Sequence, residues 1–155
     1  MWQRFTERSR KIVFYAQEEA HRFGHNYVAP EHLLLGMTRE PGSVAEQLLQ
    51  KVGVSLAQVR AEVESLIPTG ASRPSQDMTL SPEAKLVIER AYVEARNLAN
   101  NYIGSEHLLL GLVQDEDGIA GRVLVGLGVE HKQLCQETRL LQQNSASPGD
   151  GDSNL

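Results

Sequence analysis

The sequence predicts an all-α protein: two pseudo-symmetric four-helix repeats, eight helices in all, joined by a linker and followed by a disordered tail. Three observations carry this. The chain matches itself at a shift of 75 positions without a gap. Glu31-His32-Leu33-Leu34-Leu35-Gly36 falls on Glu106-His107-Leu108-Leu109-Leu110-Gly111, and Asn26-Tyr27 on Asn101-Tyr102. Ala16, Glu19 and Ala20 fall on Ala91, Glu94 and Ala95; Ala45, Leu49, Gly53 and Val54 fall on Ala120, Leu124, Gly128 and Val129. Such a match marks a duplicated unit of roughly 65 residues. Apolar residues also recur at helical spacing within each copy, and no segment alternates convincingly enough to be a strand.

Each element has its own signals. Thr6 caps a long helix with apolar Ile12, Val13, Ala16, Ala20 and Phe23 on one face, and Gly24 ends it. Pro30 suits the first turn of a second helix, where its missing N–H costs nothing. That helix runs through three leucines, which cover most of its circumference and bury it on nearly all sides. Pro41-Gly42 breaks it. Ser43 with Glu46 opens a third helix in a capping-box pattern, stopped by Gly53. Ser55 with Gln58 opens a fourth, apolar at Leu56, Val59, Val63, Leu66 and Ile67. The second copy repeats the punctuation with Ser81-Pro82, Gly104-Ser105, Asp117-Gly118 and Gly128. The repeats thus span 1–67 and 80–143, around a Pro/Gly/Ser/Thr-containing linker at 68–79. The small polar residues of 144–155 predict disorder.

Composition narrows the function. The chain has 155 residues and a net charge of −5, with no cluster of Lys or Arg, which argues against nucleic acid as a partner. Residues 1–66 balance eight basic against eight acidic side chains, whereas 80–143 carry six against nine. Cys135 is the single cysteine, which excludes an internal disulfide, points to a reducing cytoplasm and reads as a small core residue. No secretory signal is visible and no apolar run approaches a membrane span, so no membrane partner is expected.

The duplicated Glu-His pairs are the candidate chemistry. Neighbours on a helix point about 100° apart, so Glu31 with His32, or Glu106 with His107, makes no side-by-side acid–base couple. Each His reads as packing at a helix start. Each Glu lies in a first turn beside backbone N–H groups, a place suited to a ligand carrying a cation for the carboxylate and an anion for the helix end. No metal site is expected: His21 and His25 become Arg96 and Asn100 in the second copy, and no HExxH or paired CxxC exists. No GxSxG nucleophile or Walker motif is present either, so neither catalytic residue nor cofactor is expected. Trp2 and Phe5, ahead of the first helix, either staple it to the core or line a partner groove, with Trp2 the more exposed of the two.

Arg4-Phe5-Thr6-Glu7-Arg8, Ala16-Gln17-Glu18-Glu19-Ala20, Gly24-His25-Asn26-Tyr27 and the duplicated Glu-His-Leu-Leu-Leu-Gly closely resemble the amino-terminal domain of ClpC-type AAA+ unfoldases, from about Met1 to Gln143. The resemblance implies a non-catalytic module of the ATP-dependent Clp protease system that docks adaptors and marked substrates. It implies that Glu31 and Glu106 help bind phosphoarginine, a degradation mark, with Thr6 and Ser81 near the phosphate. It also implies a partner or peptide surface at Trp2, Phe5 and Leu80, the region that cyclic peptide antibiotics contact in actinobacterial members. The family usually has Gly-Thr before the motif Glu; here Ala29-Pro30 precedes Glu31 and Gly104-Ser105 precedes Glu106. Because Ser105 keeps a hydroxyl and Pro30 has none, the Glu106 site is expected to bind more tightly. Leu80 replaces a common Phe.

Three rivals stand beside this reading. The chain is either free-standing, delivering or competing for substrates, or the front of a longer ATPase. A structural or oligomerising helical domain is one alternative. A phosphoarginine hydrolase using Glu106 and His107 is another, against which stands the lack of an accompanying nucleophile.

Overall fold

A computed structural model describes residues 2–71 and 78–144. The middle of the expected linker, 72–77, and the expected disordered tail from 145 onward lie outside the described residues. After a short 3₁₀ turn at Trp2–Arg4 come α1 (Glu7–Arg22), β1 (Tyr27–Val28), α2 (Pro30–Thr38), α3 (Val44–Lys51) and α4 (Leu56–Leu66). The second repeat follows with β2 (Thr79–Leu80), α5 (Pro82–Asn97), α6 (Ser105–Val113), α7 (Ile119–Gly126) and α8 (His131–Gln143).

The helix starts follow the sequence signals. Thr6 Oγ1 accepts the Ser9 N–H at 3.2 Å and Ser81 Oγ accepts the Ala84 N–H at 3.0 Å, each satisfying one of the donors a first turn leaves open. Ser55 and Gln58 form the reciprocal box. At α3 the box is only half made: Ser43 takes the Glu46 N–H, but the Glu46 carboxylate accepts from Gly42 N–H instead.

α2 and α6 begin without a capping side-chain oxygen. The third helical residue supplies the acceptor instead. His32 Nδ1 accepts the Ala29 N–H at 2.8 Å, and His107 Nδ1 accepts the Gly104 N–H at 2.9 Å. These bonds fix the proton on Nε2, which donates to His25 Nδ1 at 2.9 Å in the first copy and to Asn100 Oδ1 at 2.8 Å in the second. His25 and Asn100 are thus equivalent acceptors, which explains how an Asn replaces a His there.

The glycine of each six-residue motif lets two helices touch backbone to backbone. A Cβ on Gly36 would run into the Ile12 carbonyl, and one on Gly111 would lie 2.7 Å from the Val87 carbonyl oxygen. α2 and α6 are otherwise walled by their leucines, all fully buried. Leu66 departs from expectation: it points to solvent, 51% exposed, as the last residue of α4.

The absence of strands is corrected. β1 and β2 pair in parallel, Tyr27 with Thr79 and Val28 with Leu80, so the last residue of the expected linker lies in a strand. At the equivalent place in the repeat, Phe5 bridges Ile103. Both pairings run between repeats. Two-residue strands are too short to show alternation in sequence. Side chains of both repeats join in one hydrophobic core cluster.

Candidate functional site

The cross-pairing decides which candidate residues meet. Ser81 N–H donates to the Val28 carbonyl at 2.8 Å, so α5 begins beside α2. Thr6 N–H donates to the Ile103 carbonyl at 3.0 Å, so α1 begins beside α6. The hydroxyl and carboxylate of each expected site therefore come from different repeats: Ser81 goes with Glu31, and Thr6 with Glu106.

The two places differ. Glu31 is half-buried and lines a cavity of about 380 Å³ together with Glu83, Asp115, Asp117, Gly118 and Arg122. Burial pushes the Glu31 carboxyl up; its own backbone N–H opposes this, while Asp115 and Glu83 add to it. Burial likewise pushes Asp115 up against the pull of Arg90, with Glu83 and Asp117 adding and Arg122 opposing. α7 begins at this cavity, and its cap residue Gly118 has no side chain to take a first-turn N–H. A guanidinium fits the carboxylates, and the start of α7 with Arg122 offers a place for an anion.

Glu106 and Ser105, by contrast, are 0% exposed. Tyr102 Oη donates to Glu106 Oε2 at 3.2 Å, and Ser105 Oγ accepts the Ala45 N–H of α3 at 3.0 Å. Thr6 is buried as well, its hydroxyl donating to Ser9 Oγ. The Ser105 hydroxyl thus ties the two repeats together, and the accessible motif carboxylate is that of Glu31.

The repeat shows the difference in charge. Arg8 and Glu40, an ion pair at 3.2 Å, become Glu83 and Asp115 at the equivalent positions, two like charges on one cavity. Internal comparison of the sequence carries this signal, but only the cross-pairing shows that it bears on Glu31.

Two of the three residues expected at a partner surface, Trp2 and Leu80, share a groove. Trp2 is 39% exposed and lines a groove of about 390 Å³ with Leu80, Val13, Phe14, Met78 and Arg10. Phe5 does not belong to that surface. It is 1% exposed, a core residue standing edge-on under Trp2 with ring centroids 4.9 Å apart. Its backbone pairing with Ile103 draws it inward.

His107 spends both ring nitrogens on Gly104 and Asn100, while Glu106 turns to Tyr102, so the pair forms no acid–base couple. Cys135 is half-buried, and burial with the neighbouring Glu94 charge pushes its thiol up to about 11, far from a reactive thiolate. No helix among the described residues is long and apolar enough to cross a membrane.

The sequence model of the Clp repeat (R) N-terminal domain matches residues 4–146. The chain belongs to this family. It is 43% identical over 150 residues to the chaperone ClpB of Oceanobacillus iheyensis, covering 96% of this chain and 18% of that protein. It is 42% identical over 157 residues to the chloroplastic chaperone ClpC1 of Arabidopsis thaliana, covering 99% and 17%. The chain therefore spans about a sixth of the length of these Clp relatives. Among solved structures, the N-terminal domain of ClpD from Arabidopsis thaliana superposes with a TM-score of 0.70 at 31% identity, covering 94% of this chain and 97% of that one. The Hsp104 N-terminal domain from Candida albicans shares the fold at 18% identity, with a TM-score of 0.72 over 94% and 95% of the two chains.

Proposed function

We propose that this Clp N-terminal domain is a non-catalytic docking module of an ATP-dependent Clp unfoldase system, and that it recognises phosphoarginine-marked proteins or their adaptors at the Glu31 cavity. The observation that supports this is the meeting of Glu31 from the first repeat with Asp115, Glu83 and the start of α7 from the second. Glu31 and Asp115 receive the guanidinium. The α7 start and Arg122 receive the phosphate, with Ser81 at the adjoining helix start. Glu106, Thr6 and Ser105 mark the equivalent second place, and their burial favours the first for ligand binding. The groove at Trp2 and Leu80 is the surface we assign to adaptor segments, with Arg10 favouring an acidic flank.

An NMR titration of the ¹⁵N-labelled chain with phosphoarginine, against arginine and inorganic phosphate, tests the reading. Shifts are expected around Ser81, Glu31 and Gly118, lost in Glu31→Ala and kept in Glu106→Gln. Silence at millimolar ligand, or shifts that survive Glu31→Ala, would overturn it and leave a structural helical domain as the better account.

A further inference from the structure

The first repeat buries one carboxylate among guanidinium groups. Glu19, its side chain 4% exposed, meets Arg60 at 2.8 Å, Arg39 at 3.3 Å and Arg22 at 3.5 Å. Three cations offset the cost of taking that charge out of water.

The second repeat keeps the carboxylate and loses every one of the cations. Glu94, with a side chain 10% exposed, stands at the equivalent point of α5. The counterparts of Arg60, Arg39 and Arg22 are Cys135, Gln114 and Asn97. Gln114 Nε2 donates to Glu94 Oε2 at 2.9 Å, which satisfies a lone pair and supplies no charge. His131, which replaces Leu56, brings Nε2 to 2.9 Å from Glu94 Oε2. Cys135 Sγ lies 3.7 Å from Glu94 Oε1 and 3.5 Å from His131 Nε2.

These separations lie within about 0.4 Å of those of ligands around a small cation. The thiol and the imidazole face different oxygens of the Glu94 carboxylate, so a small rotation of that carboxylate brings one oxygen to both. A tetrahedral zinc ion with Zn–S of about 2.3 Å and Zn–N and Zn–O of about 2.0 Å sets sulfur about 3.5 Å from both nitrogen and oxygen, and nitrogen about 3.3 Å from oxygen. His131 and Cys135 lie four residues apart on α8 and so share a face, while Glu94 reaches them from α5. Among the described residues this is the group of His, Cys and carboxylate side chains close enough to hold a metal. The three line an open cavity of about 330 Å³, which leaves a fourth position to water.

We propose that Glu94, His131 and Cys135 form a binding site for a zinc-type divalent cation. Thiolate and imidazole beside one carboxylate select zinc over magnesium or calcium, which prefer all-oxygen sites. Binding exchanges the Cys135 thiol proton for the metal–sulfur bond and releases that proton to solvent. The ion restores the positive charge that the arginines supply in the first repeat, and ties α5 to α8. The site shares no residue with the Glu31 cavity, so its test is independent of ligand docking.

The experiment is a cobalt(II) titration of the untagged, chelator-stripped chain, followed by displacement with zinc. One cobalt per chain is expected, with a thiolate-to-cobalt charge-transfer band and the intense visible bands of tetrahedral cobalt. Cys135→Ser should remove the charge-transfer band and weaken binding at least ~10-fold, the loss that even an outer-shell partner of a metal ligand produces. Gln114→Arg, which restores a guanidinium beside Glu94, should weaken it by at least as much, with unchanged circular dichroism. No uptake, octahedral bands alone, or binding unchanged in Cys135→Ser would overturn the proposal.

Discussion

His25 Nδ1 and His32 Nε2 lie 2.9 Å apart, and His32 is completely buried. Burial, with the His25 ring adding, pushes His32 down from 6.5 to about 4. Released by unfolding, the ring takes a proton at its ordinary value, so between those two pH values the unfolded chain binds more protons. Stability from this group is complete above about pH 6.5 and falls as the pH drops toward 4, by at most ~3 kcal/mol. Thermal midpoints measured across that window should decline steeply. In His32→Gln, which keeps an acceptor for the Ala29 N–H, the acid limb should flatten.

Ala99 occupies the place of Gly24 and holds φ +58°, against +76° for the glycine. A side chain in this left-handed region costs about 1–2 kcal/mol. Ala99→Gly is expected to stabilise the domain by about 1 kcal/mol after the entropy cost of glycine, a rise of about 3 °C in the thermal midpoint. Gly24→Ala should lose ~2 kcal/mol or more, because its Cβ would also collide with the Gly70 carbonyl.

Ser105→Ala separates a structural from a ligand-binding part for this hydroxyl. Without it the buried Ala45 N–H loses its acceptor, at a cost of about 1–3 kcal/mol. Denaturant unfolding should show that loss, while phosphoarginine shifts at Glu31 stay in place. A variant of normal stability with lost binding would reverse the assignment.

Gly36→Ala and Gly111→Ala should each destabilise by about 1–3 kcal/mol, since a methyl group must force apart helices that meet backbone to backbone. Gly36→Ala is expected to cost more, its Cβ facing the tighter approach. Urea midpoints of the two variants check the order.

Much of this architecture was legible in the sequence. The duplication, the Thr6, Ser55 and Ser81 caps and the glycine stops act locally, so their meaning does not depend on distant residues. The pairing of Val28 with Leu80 and of Phe5 with Ile103 left no local pattern, and with it went the pairing of Ser81 with Glu31, the burial of Phe5 and the closure around Glu106. The bond from Ala45 N–H to the Ser105 hydroxyl left no trace in the sequence because the two residues lie in different repeats. The grouping of Glu94 with His131 spans 37 residues and matches no spacing motif. Its trace was the loss, between copies, of each arginine around a retained glutamate.

Neither strand bridge closes within its own repeat: each repeat lends one edge to the other and borrows one back. A half-length chain would thus carry two open edges and could satisfy them with a second copy of itself around a twofold axis. The connection between the repeats turns that encounter from one set by concentration into one set by tether length. Cleaving the peptide between Gly70 and Met78 should then leave the halves bound as a heterodimer, whose dissociation reports directly on the strength of the exchanged edges.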